Sequence, residues 1–173
     1  MYNVRVNHIA EDVPAAIQAE LIDFVSKYDF PHVTAITDKA WLREAFTEYF
    51  RNRHTYEWLK AQAYAKARAE GRDLRGVAAV SMCEPNRIHT GALGNYLLKK
   101  GQTKCRTIHT YGIDPMQPSC RMNLEGKILD IKTVLVHSFP AAYDDLKRTD
   151  IPMIPQHVNC RHVMAPLDDF GIE

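Results

Sequence analysis

The sequence predicts an α+β fold, with helices first and a small β-rich lobe towards the C-terminal end. Three observations predict it. Through most of the first hundred residues, apolar side chains recur three and four apart, which lines them up on one side of a helix. After Gly101 the pattern changes to short runs of β-branched and aromatic residues, the composition of strands. Prolines and an Asp-Pro turn then interrupt the chain too often for long helices. The organisation expected is a helical arm or docking region over 1–84 and a second unit over 85–173.

Each element has its own signal. A helix is expected over 12–28, where Asp12 is a candidate cap, Pro14 sits in the first turn, and Ile17, Leu21, Phe24 and Val25 share a face. Pro31 breaks that pattern. One long helix is expected over 39–70, with Asp38 as its N-cap and Gly71 as its stop. Leu42, Ala45, Phe46, Tyr49, Phe50, Trp58, Leu59, Ala63 and Ala67 mark its apolar side. The basic cluster Arg51, Arg53 and His54 then falls near its middle and reads as a solvated face or a DNA or partner contact. The run 77–83 is either a strand or the start of the next helix. Residues 85–100 read as a helix in spite of Gly91 and Gly94, each of which costs up to about 1 kcal/mol relative to Ala. Gly101 ends it. Strands are expected over 105–112, within 127–136, and over 160–167. Pro152 and Pro155 keep the stretch between the last two out of a helix or a central strand.

Composition limits the function. The 173 residues are 46% hydrophobic and 25% charged, enough to bury a core and too few charges for global disorder. The net charge of +1 argues against a protein whose main task is coating DNA phosphates. Arg87, Lys99, Lys100, Lys104 and Arg106 nonetheless give the middle segment a basic bias, suited either to local DNA contact or to a soluble helix end. No segment has the roughly 18 apolar residues of a membrane span. The opening MYNVRVNHIAEDVP has no basic region followed by an apolar run, so the expected compartment is a reducing cytoplasm, and the four cysteines are expected as thiols or metal ligands.

The densest chemistry lies near the end, where His157, Cys160 and His162 are spaced H-x2-C-x-H, with Cys120 upstream. Cysteine and histidine are the preferred ligands of tetrahedral zinc. Cys120, His157, Cys160 and His162 make a candidate set of four, and Cys105 is a spare. The other reading of the same residues is a buried thiol beside histidines bonded to backbone. His109, His137, His157 and His162, with Asp114, Glu125 and Asp130, also offer acid–base groups, although no nucleophile–base spacing or phosphate-binding loop stands out.

The order of these segments resembles the phage head-morphogenesis domain of the Mu F-like and SPP1 minor head proteins. The resemblance covers 85–167. Arg87 to Gly101 stands in the position of a helix and Thr107 to Gly112 in that of a strand. Asp114 opens a turn, Cys120-Arg121 stands at the second cysteine of a CxxC, and Leu124-Glu125-Gly126-Lys127 follows. Ile154-Pro155-Gln156-His157-Val158-Asn159-Cys160-Arg161 then precedes the final apolar run Val163-Met164-Ala165-Pro166-Leu167. The chain departs from the pattern in having Gln117 for the first cysteine of the CxxC, Val158 for a proline and His162 for the last cysteine. The resemblance implies a minor head protein of a tailed phage, located in the virion and, during assembly, in the host cytoplasm. Its implied partners are portal and capsid proteins, and self-association is compatible with that role. No catalytic residue is implied. The alternative function is a small metal-dependent nuclease or toxin-like enzyme built on the His/Cys cluster.

Overall fold

In the computed structural model, residues 2–109, 124, 126–138, 154, 160 and 162–168 are described. A 3-10 turn at Val6–His8 leads into α1 (Ile9–Asp12), followed by α2 (Ala15–Lys27), α3 (Lys39–Arg51), α4 (Tyr56–Ala69), α5 (Val77–Met82) and α6 (Glu84–Lys99). Then come β1 (Lys104–His109), β2 (Ile128–Asp130), α7 (Ile131–Ser138) and β3 (His162–Pro166). The strands form one antiparallel sheet in the order β2-β1-β3. The fold is α+β, helices first.

Several elements form for the reasons visible in their residues. Asp38 caps α3 by accepting from the Trp41 N–H at 3.0 Å. α4 and α6 both end on a glycine in the left-handed region, Gly71 at φ +64° and Gly101 at +81°. In each case the glycine N–H and the next one bond back to the helix carbonyls (Arg68 and Ala67; Leu98 and Leu97), the double closure a positive φ permits.

Three expectations need correction. The helix expected over 12–28 starts after Pro14, because Asp12 is held elsewhere, in a two-pronged pair with the Arg5 guanidinium at 2.7 Å. The long helix over 39–70 is two helices. The break is at Arg53, which adopts φ +51° and sends its guanidinium to the carbonyls of Glu11 and Val13 at 3.0 and 2.8 Å. A non-glycine residue in that region is strained, and these bonds across the fold hold it there. Arg53 is therefore a tertiary tie, not part of a solvated helix face. Finally, of the one or two short strands expected within 127–136 one is present, as β2, and the rest of that run is the helix α7. Asp130 starts it by accepting from the Thr133 N–H at 3.0 Å. The undecided run 77–83 is helical, as α5.

One apolar cluster, containing residues from Tyr2 to Ala165, spans the described chain and crosses the expected boundary at 84/85. α6 lies at its centre, packed against α1, α2, α5, α7 and β3. At Gly94 the approach is close: a Cβ there would stand 2.8 Å from a Leu135 methyl of α7.

Candidate functional site

Twelve of the sixteen residues of α6 are buried, and only its C-terminal turns, with Asn95, Tyr96, Leu98 and Lys99, reach water. Yet it carries Glu84, Asn86, Arg87, His89 and Thr90 inside the fold. Burying such groups is costly unless each is paired. Helical spacing sorts them onto different sides.

Glu84 and Arg87, three apart, form an ion pair with both side chains nearly inaccessible. Tyr28 donates from its hydroxyl to the other Glu84 oxygen at 3.0 Å. Burial, followed by the Glu84 charge, raises the Tyr28 pKa well above its ordinary value. Next to this pair is a cavity of about 30 Å³ lined by His32, Thr34, Cys83, Glu84 and Arg87 among others. Desolvation, helped by the Arg87 charge, pushes the His32 pKa down to about 4, so His32 is neutral near pH 7.

On another side of α6, Tyr2 and His89 meet with 2.6 Å between the Tyr2 hydroxyl and Nε2. Burial pushes the His89 pKa down to about 3, which makes its ring the neutral acceptor of the Tyr2 proton. Asn86 donates to the backbone carbonyl of His162 at 2.9 Å, tying α6 to β3. Asn86 Oδ1, His89 Nδ1 and Thr90 Oγ1 are buried with no hydrogen-bond partner.

The sequence-predicted ligands divide. Cys120 and His157 lie outside the described residues, as do Asp114 and Glu125 and the side chain of His137. Cys160 and His162 are both buried and adjacent, with Sγ 3.9 Å from Nδ1. Cys105, the spare candidate, is not with them. It sits four residues before His109 on β1, about 13 Å away at a strand's rise per residue, and its thiol faces the Leu129 carbonyl at 3.7 Å. His109 does join: it is registered directly opposite His162, with ring centroids 4.9 Å apart. As the side chains stand, no three His, Cys, Asp or Glu among the described residues converge on a common ligand point. Asp130 is engaged at the start of α7 and with Lys104, a structural position.

The basic bias of the middle segment also disperses. Arg87 is inside the core, Lys99 pairs with Glu20 at 2.7 Å, and Lys100 lies over the Tyr96 ring. Sequence reasoning missed Glu84, Asn86, His89 and Thr90, together with their partners Tyr2, Tyr28 and His32. The available signal was the density of polar residues in a segment whose glycines invite close packing.

No protein-family model, curated protein or solved structure matches the chain.

Proposed function

We propose that this chain is a structural protein of a tailed-phage virion, a minor head protein acting with portal and capsid in head assembly or DNA delivery. The observation that carries the reading is the ordered pattern over 85–167, from the Arg87 helix to the strand after Cys160. Support comes from the way its described segments pack. α6, β1, β2 and β3 lie together, and Asn86 near the start of the pattern bonds to His162 near its end. A unit tied together across its described segments in this way suits a part that is positioned once and held. In this reading the His/Cys group is a staple rather than a catalytic centre: a structural zinc with Cys160 and His162 among its ligands would fasten β3 to the rest of the unit. Cys120 and His157 are the sequence's candidates for the remaining positions.

The test is co-production with the portal and capsid proteins of the same phage, followed by isolation of procapsids. The expected outcome is that the chain sediments with them and that its omission yields defective heads. A chain that binds neither protein and never enters particles removes the proposal. Metal-dependent cleavage of DNA or RNA, abolished in His162→Ala, would favour the nuclease alternative instead.

A further inference from the structure

The cavity of about 30 Å³ beside the Glu84–Arg87 pair is walled by unlike groups. Val33, Ala79 and Val80 supply apolar surface. His32, Glu84 and Arg87 supply polar groups, and all three are buried. The lining also includes Thr34 and Gly76, which are exposed, so it runs from the surface to the buried pair.

We propose that this cavity is a binding site for water, about one or two molecules, which hydrate the Glu84–Arg87 pair inside the fold.

Size, hydrogen-bonding capacity and charge point to water. A buried water takes about 10–15 Å³ of such space, so the volume suits one or two. A water held inside a protein also needs polar partners, usually about three, and a cavity lined only by apolar groups stays dry. Here the partners are at hand. The guanidinium has five N–H donors in a fixed fork, and one of its nitrogens, Nη1, meets Glu84 Oε1. The carboxylate has about four acceptor positions, of which Arg87 takes one and Tyr28 another. Both groups have capacity beyond the contacts they make with each other and with Tyr28.

The charges select the ligand. Glu84 and Arg87 cancel, His32 is neutral near pH 7, and burial pushes the Cys83 thiol up to about 12, so that it is neutral too. A lining without net charge gives no preference to a free anion or cation. A ligand that both donates and accepts, as water does, serves the guanidinium and the carboxylate at once. Removing both ions from bulk water is costly, and their contact repays that only if their remaining hydrogen-bonding positions are filled as well. Water in the cavity fills them while the side chains stay in the core.

The test is a high-resolution crystal structure of the full chain, with a second crystal soaked in bromide. Density for one or two waters is expected within hydrogen-bonding distance of the Arg87 guanidinium or the Glu84 carboxylate, with no anomalous bromide peak. Empty density overturns the proposal, and so does bromide in the cavity, which would make it an anion site. Denaturation midpoints then ask whether the water supports the pair. Ala79→Val adds methyl groups to the cavity wall. In the parent it should lower the midpoint, because displaced water leaves charged groups short of partners. In the Glu84→Leu/Arg87→Met double variant the same change should raise the midpoint or leave it in place, because there it only fills space. The helix cost of valine is common to both backgrounds and cancels. A raised midpoint in the parent means a dry cavity, and an equal loss in both backgrounds means crowding; either overturns the hydrating role. If the double variant does not fold, the density alone decides.

Discussion

Between α2 and α3 the core is filled with aromatic rings, whereas around α6 much of it consists of paired polar groups. Phe30, Phe46, Tyr49 and Phe50 are fully buried, with centroids 5.0 Å apart for Phe30–Phe46 and 4.9 Å for Tyr49–Phe50. Such packing is tolerant, because dispersion and area burial are non-directional. The α6 side depends on geometry: Glu84 must meet Arg87 and Tyr28, and Tyr2 must reach His89. A polar core of this kind is not an efficient source of stability, since desolvation consumes much of what the pairs contribute. It lies against the strand that carries His162, to which Asn86 ties it.

Two substitutions of similar large size separate these modes. Arg87→Met leaves the Glu84 charge buried without its partner and should cost about 3–5 kcal/mol in chemical denaturation. Arg87→Met combined with Glu84→Leu should recover most of that loss. If the double variant is as unstable as the single one, the pair is not acting as a charge pair. Phe46→Ala should also cost about 3–5 kcal/mol, with no second-site charge change able to restore it.

Next in size is the Tyr2–His89 contact. Tyr2→Phe removes the hydroxyl and leaves the ring nitrogen unsatisfied, a loss of about 1–3 kcal/mol. This contact also sets a pH dependence. An unfolded histidine titrates near 6.5, while folded His89 stays neutral down to about 3. Between those values the unfolded chain binds a proton that the folded chain does not, so stability falls as pH drops below about 6.5. The slope from one such group is at most about 1.4 kcal/mol per pH unit. His32, held down to about 4, acts in the same direction. Denaturation midpoints for His89→Gln across pH 4 to 7 should show a flatter decline than the parent; an equal slope would mean that His89 titrates normally.

The smallest effect belongs to a feature with no role in either core. Asp38→Ala should cost about 1 kcal/mol through loss of the α3 cap, measurable as a shift in thermal midpoint.

How much could be read in advance depended on where the determining partner lies in the chain. The Asp38 cap, the Gly71 and Gly101 stops and the β1 run are legible because cause and effect are within a few residues. The break at Arg53 was not, because it is held by carbonyls some forty residues away. α7 was misread because its β-branched residues resemble a strand, although the Asp130 cap was there to be seen. The pairing of Cys160 with His162 was half legible, being two residues apart. The meeting of His109 with His162 was not, because strand register brings them together.

By itself, then, the sequence determined that helices come first and strands follow Gly101, the Asp38 cap, the Gly71 and Gly101 stops, and a C-terminal group of Cys and His residues. Those follow from local backbone preference and side-chain period. Tertiary structure alone decided that α6 would be the central helix, that its charged and polar residues would be inside, and which histidine would face His162. A charged residue in sequence reads as a surface residue because an unpaired charge avoids burial. Only the three-dimensional arrangement supplies the partner that reverses that preference, as Arg87 does for Glu84.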